Sequence, residues 1–249
     1  MELLEFKNVH KSFFDTKKET KVLDNLSFYL SKNEKIAIVG PSGCGKSTIL
    51  NLASGLINLD NGEIVKNGNI GYMFQTDNLF EWRTIYKNIT LGLEVKGKVN
   101  KKDKERIIEL LKKYGLEEFK DKHPSSLSGG MRQRVALIRT LVLNPDILLL
   151  DEPFSALDAQ TKLMVNDDIY DIVTRENKSV IMVTHDIAEA IAFCDRVIVL
   201  SSRPSNVKKI YEIKFKNLIN RTPLKSRSQA QFKDYFDMIW RDLNECSIY

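Results

Sequence analysis

Three stretches carry side chains that could do chemistry. Gly40-Pro41-Ser42-Gly43-Cys44-Gly45-Lys46-Ser47-Thr48 has the spacing glycine, four residues, Gly-Lys-Ser. Glycines there let successive backbone N–H groups turn inward onto phosphate oxygens. Lys46 can reach β- and γ-phosphates as a point charge, and the Ser47 hydroxyl can ligate Mg²⁺. Asp146-Ile147-Leu148-Leu149-Leu150-Asp151-Glu152 is an apolar run ending in two adjacent carboxylates. One, Asp151, can hold Mg²⁺ through water, and Glu152 can polarise an attacking water. His185 stands just past another apolar run, Ser179 to Thr184. The combination predicts a site for a nucleoside triphosphate.

The elements around these residues decide whether they meet. Lys35 to Val39 reads as a strand leading into the glycine loop, and Thr48 to Ala53 as a helix leaving it. The dipole of that helix would add positive charge at the phosphates. Asp151 and His185 both follow predicted buried strands, which puts them at the edge of an open α/β sheet where ligands bind. The bland alternatives are a glycine-rich turn with a surface lysine, and carboxylates that merely cap a turn. His10 and His123 read as structural.

Leu3 to Val9 and Val22 to Leu30 are predicted strands joined by a polar turn around Asp15 to Lys18, with Phe13 and Phe14 in the connection. Those rings are either loop aromatics tucked onto their own sheet or a platform for adenine. Glu63 to Gly68 and Ile70 to Gln75 are short strands. From Thr84 to about Asn144 the pattern is helical, with Lys96 to Lys104 a solvated loop and helix start. Ser128-Gly129-Gly130 opens a helix running to Leu143, as a second set of free N–H groups for an anion or as a simple N-cap. Ser155 to Asp158 makes a turn before a helix from Ala159 to Glu176. Helix Ile187 to Cys194 and strands Arg196 to Leu200 and Val207 to Ile213 complete the core. Phe232, Tyr235, Phe236, Ile239, Trp240 and Leu243 form one apolar helical stripe, predicted to pack on the chain's own core.

Composition limits the class. The 249 residues suffice for one substantial core, or a core plus a small subdomain. No apolar run nears the ~20 residues that span a bilayer, and no signal peptide is visible at the N-terminus, so a cytoplasmic protein is expected. A net charge of +5 is too small to argue for nucleic acid. Three scattered cysteines, Cys44, Cys194 and Cys246, suit neither a disulfide framework nor a zinc site. Cys44 lies near a helix N-terminus, which favours a thiolate unless the side chain turns inward.

These motifs in this order resemble the ATP-binding subunit of an ABC transporter over nearly the whole length. Gly40 to Thr48 resembles Walker A, Ile147 to Glu152 Walker B, and Leu127 to Gln133 the ABC signature. Gln75 resembles the Q-loop, Ser155 to Asp158 the D-loop, His185 the switch histidine, and Phe13 the A-loop aromatic, which favours adenine stacking. Leu79 to Thr84, Ser128 to Val135, Asp151 to Thr161 and Ser201-Ser202-Arg203-Pro204 are similar to importers of nitrate, aliphatic sulfonates, taurine and thiamine precursors, although Glu81 stands where that group has proline. The resemblance implies an α/β P-loop NTPase core, a mixed sheet with helices on both faces, with an antiparallel β subdomain and an inserted α-helical subdomain. It implies one ABC ATPase domain: core and β subdomain from 1–82 and 145–215, a helical signature subdomain at 83–144, and a tail at 216–249.

The implied chemistry is hydrolysis of ATP to ADP and phosphate. By the resemblance, Lys46, Ser47 and Thr48 hold phosphates and Mg²⁺, Gln75 and Asp151 complete the metal and water shell, and Glu152 is the general base. His185 stabilises the γ-phosphate end, and Asp158 belongs to the nucleotide site. Ser128, Gly129 and Gly130 close the site of a second copy of the chain. Gln75 to Arg83 meets a membrane permease served by an extracytoplasmic solute-binding protein, which places the subunit at the cytoplasmic face of the membrane. An exporter or lipid-handling subunit is the alternative. A DNA-acting relative would need a long coiled coil between Ser47 and Ser128, and that stretch is too short and lacks heptads.

Overall fold

The computed structural model describes residues 1–15, 18–97, 99–216 and 218–245. Two sheets organise it. Strands β1 (Glu2–Asp15), β2 (Lys18–Ser31) and β4 (Asn61–Lys66) form an antiparallel sheet in the order β2-β1-β4. The larger sheet contains β3 (Lys35–Val39), β5 (Ile70–Met73), β6 (Ile147–Asp151), β7 (Ser179–Val183), β8 (Arg196–Leu200) and β9 (Val207–Glu212). Its order is β5-β6-β7-β3-β8-β9, parallel except for the antiparallel edge strand β9.

Side-chain alternation splits the core in two. Ile36, Ile38, Leu149 and Ile181 join a cluster with helix α1 (Lys46–Ser54) and the antiparallel sheet. Ala37, Val39, Leu150 and Met182 join the cluster on the other face. That face is covered by α2 (Ile85–Lys96), α3 (Lys101–Lys113), α4 (Gly129–Leu141), α5 (Ala159–Arg175) and α6 (Ile187–Phe193). A strand buried on both faces needs apolar residues throughout, which is why β3, β7 and β8 read as unbroken apolar runs. The expected mixed sheet with helices on both faces and an antiparallel β sheet is therefore present.

The helices start where their caps allow. Thr84 caps α2, Asn100 and Asp103 form a capping box on α3, and Ser128 accepts from the Met131 N–H at the start of α4. The α3 helix is pinned to α5 through Glu176, which is ion-paired to Arg106 and Lys113 and accepts from the Tyr114 hydroxyl at 2.9 Å.

Two readings need correction. Phe13 and Phe14 lie on β1 itself, paired with Thr20 and Glu19, because the hairpin strands run further than their apolar segments. Thr16 and Lys17 of the expected turn lie outside the described residues. In the tail, α7 (Pro223–Arg227), capped by Thr222, precedes α8 (Ala230–Glu245). Ile239 is buried and Phe232, Tyr235, Phe236 and Leu243 pack on the core, whereas Trp240 is 53% exposed, stacked on Phe236 at the margin of the stripe.

Candidate functional site

The loop after β3 curls as its glycines permit. Gly43 has φ +74° and Gly45 φ +109°, values that a side chain resists, and a Cβ on Gly45 would lie 2.7 Å from Val22 Cγ1. Gly45 is also the N-cap of α1, so the free N–H groups of the helix open into the loop. Lys46 folds back across it, its Nζ donating to the carbonyls of Gly40 (2.9 Å) and Pro41 (3.0 Å). The ammonium thereby stands over the cradle on uncharged acceptors that phosphate oxygens could replace. A cavity of about 370 Å³ lies above, lined by Ser42, Gly43, Gly45, Lys46, Ser47 and Thr48 from the loop, with Val22, Glu152 and Arg203 around them.

The parallel strands bring the acidic groups to the same edge. Ser47 Oγ is 3.5 Å from Asp151 Oδ1, and the Tyr72 hydroxyl lies 3.2 Å from Asp151 Oδ2. Burial pushes the Asp151 carboxyl above its usual value, and the neighbouring Glu152 adds to this, against the hydrogen bonds of Tyr72 and Ser47 and the charge of Lys46. The Tyr72 hydroxyl is itself pushed up, by burial and by Asp151. Glu152 has φ +45°, a left-handed conformation costly for a residue with a side chain. Its carboxylate Oε2 is 3.1 Å from His185 Nδ1 and 3.3 Å from Gln75 Nε2. Gln75 also donates to Ser155 Oγ at 3.3 Å.

The structure thus gathers Lys46, Ser47, Asp151, Glu152, Gln75 and His185 at one sheet edge, as the sequence predicts. Gln75 reaches Glu152 rather than the Ser47–Asp151 pair. Phe13, half-exposed with Lys11 Nζ 5.5 Å from its ring centre, does not line the cavity. Ser128, Gly129, Gly130 and Asp158 do not line it either. Ser128 and Gly129 are exposed at the start of α4, Gly130 is packed against Val165, and Asp158 caps α5 through the N–H groups of Gln160 and Thr161. Cys44, 1% exposed, is packed in the core beneath the loop, so its side chain takes the inward alternative. Cys194 is likewise buried, and Cys246 lies outside the described residues. Sequence reasoning missed Tyr72, Val22 and Arg203 as site residues. The first two sit in strands as ordinary apolar-face positions, and Arg203 arrives from a loop distant in sequence.

The model of the family described as "ABC transporter" matches residues 23–155. The ABC transporter ATP-binding protein YtlC of Bacillus subtilis is 40% identical, over 98% of this chain and 96% of its own length. The chain belongs to the ABC transporter ATP-binding family. Among its ABC relatives, the aliphatic sulfonates import ATP-binding protein SsuB of Bacillus anthracis is 38% identical over 82% of this chain and 83% of that protein. A solved structure of the ATP-binding cassette MJ0796, a dimer in a post-hydrolysis state bound to ADP and phosphate, is 32% identical. It aligns with a TM-score of 0.72 over 85% of this chain and 99% of that one. The chain is accordingly an ATP-binding ABC ATPase, the ATP-binding subunit of a transporter. No helix among the described residues is long and apolar enough to cross a membrane.

Proposed function

We propose that this chain is the ATP-hydrolysing subunit of an importer for a small solute of the nitrate, sulfonate, taurine or thiamine-precursor kind. The similarity to SsuB over most of both chains carries this reading. The loop N–H groups and Lys46 hold the phosphates, with Thr48 beside them. The hydroxyl of Ser47 and the carboxylate of Asp151 are hard oxygen donors 3.5 Å apart, and Asp151 bears a charge that burial disfavours, so the pair fits Mg²⁺. That ion would neutralise charge on the phosphate oxygens. Among the described residues no cluster of three or more His, Cys, Asp or Glu could hold a metal.

Glu152 takes the proton of the attacking water, while Gln75 and His185, both within reach of Oε2, orient its carboxylate. Phe13 supports the adenine, and Asp158, capping its helix, holds the turn beside the shared interface. Two copies pack head to tail, so that Ser128, Gly129 and Gly130 of each close the other's nucleotide site; MJ0796, itself dimeric, supports this. The exposed Phe74 and Trp82, in the stretch that carries Gln75, meet a membrane permease, which holds the subunit at the cytoplasmic face and receives solute from an extracytoplasmic binding protein. The division into a core from 1–82 and 145–215, a helical part at 83–144 and a tail at 216–249 follows from this reading.

Co-purification tests it. Tagged chain should bring down a polytopic permease, and proteoliposomes of the two should take up solute only when the binding protein is loaded. ATP-driven efflux without any binding protein would replace import with export.

A further inference from the structure

The motif Ser201-Ser202-Arg203-Pro204 plays no part in the chemistry above, yet Arg203 lines the nucleotide cavity. Its loop is firmly mounted. Ser205, fully buried, donates its N–H to the Val22 carbonyl at 2.8 Å and its hydroxyl to the Cys44 carbonyl at 2.6 Å, and its own carbonyl accepts from the Asp24 N–H. The loop is thus fastened both to the back of the phosphate loop and to β2. Arg203 is exposed, and among the described residues its guanidinium makes no hydrogen bond or ion pair.

Strand order fixes which end of the nucleotide Arg203 can meet. Asp151, Glu152 and His185 follow β6 and β7, on one side of β3. Arg203 follows β8, on the other side. The phosphate that is cleaved must lie with Glu152, so the nucleoside extends away from it, toward β8 and the Val22 end of β2. There the cavity offers an apolar side chain beside a planar cation with unused donors. A guanidinium is always charged, stacks on aromatic rings and donates in a fixed fork.

We propose that Arg203 binds the nucleoside half of ATP, stacking on the base and donating to the ribose. The inference rests on the reading of this cavity as the nucleotide site.

Arg203→Ala and Arg203→Lys test it, with calorimetric affinities for ATP, ADP and inorganic triphosphate. Both variants should melt with the wild type, since among the described residues the exposed side chain makes no hydrogen bond or ion pair. Arg203→Ala should bind ATP and ADP about 10–100-fold more weakly, and triphosphate as the wild type does. Turnover should show a raised KM with little change in kcat. Arg203→Lys should recover only part of the loss, because an ammonium keeps the charge and not the plane. Unchanged ATP affinity in Arg203→Ala would overturn the proposal, and so would an equal loss for triphosphate, which would make Arg203 a phosphate ligand. The site reading fails separately: Lys46→Ala would then leave ATP and triphosphate affinity intact, and the inference would fall with it.

Discussion

His185 and Gln75 share one oxygen of Glu152: His185 Nδ1 lies 3.1 Å from the Oε2 that accepts from Gln75 Nε2 at 3.3 Å. The two partners come from different elements, one past β7 and one past β5, so the carboxylate is oriented from both sides. Its backbone is held at φ +45°, and the Glu152 N–H donates to the Val183 carbonyl. A carboxylate placed under strain and fixed by three elements is pre-organised for one geometry.

Glu152→Gln keeps size and the Gln75 contact but removes the base. Turnover should fall by about 10²–10⁴-fold while ATP affinity stays near that of the wild type. Single-turnover hydrolysis beside nucleotide calorimetry measures both. Hydrolysis at the wild-type rate would move the base elsewhere.

Burial raises the Asp151 carboxyl, with a sign that can be read in stability. A raised folded-state value means that the folded protein holds its proton more tightly than the unfolded chain. The contribution is present in full below the ordinary aspartate value of about 3.9 and is lost as pH rises through the folded value. At neutral pH the ionised Asp151 therefore weakens the nucleotide-free protein. Asp151→Asn should melt higher than wild type at neutral pH, with the gain vanishing in acid, and should lose Mg²⁺-dependent hydrolysis. A variant that melts lower at neutral pH would show that its bonds to Tyr72 and Ser47 outweigh the buried charge.

Glu176 carries the opposite sign. Its side chain is 6% exposed, and although burial opposes ionisation, the bonds from Lys113, Tyr114 and Arg106 hold the carboxyl below its ordinary value. Stability from this group is present above the ordinary glutamate value and is lost as pH falls through the lowered one. Glu176→Gln should cost about 1–3 kcal/mol at neutral pH, discounted because Arg106 and Lys113 stay partly solvated. Denaturant titrations should bring variant and wild type together in acid. A cost that persists unchanged in acid would assign the effect to packing at the α3–α5 contact.

The site was most legible where motif and element coincide. The phosphate loop sits between a strand and a helix, and Asp151 and His185 end strands that read as buried, so adjacency on a parallel sheet followed from the pattern alone. Phe13 was harder. Its strand loses the apolar alternation beyond Val9, and pairing across the hairpin, which sequence period does not record, extends β1 to Asp15. Tyr72 reads as one residue of an alternating strand, and only the β5–β6 register sets it beside Asp151. Trp240 shows the same limit in a helix: periodicity gave the stripe, and the edge of the core decided which rings it covers.

The cavity and the signature turn lie apart within one chain, and this bears on how the ATPase works. Ser128 and Gly129 are exposed at the start of α4, where N–H groups of the first turn have no partner inside the helix. None of the signature residues lines the phosphate cavity. If each nucleotide needs both, the second must come from another copy. A chain carrying Ser128→Arg keeps its own phosphate loop but presents a spoiled signature. A chain carrying Lys46→Ala keeps its signature but holds ATP poorly. Each alone should be close to inactive. Mixed, they should form dimers in which the intact loop of one faces the intact signature of the other, so one site in each mixed dimer works. ATPase rate against mixing ratio, measured with the proposed permease present, should pass through a maximum near equal amounts. A rate that stays at the sum of the two inactive chains, with mixed dimers shown by differential tagging, would mean that each cavity is complete on its own and that the turn at Ser128 is only a helix cap.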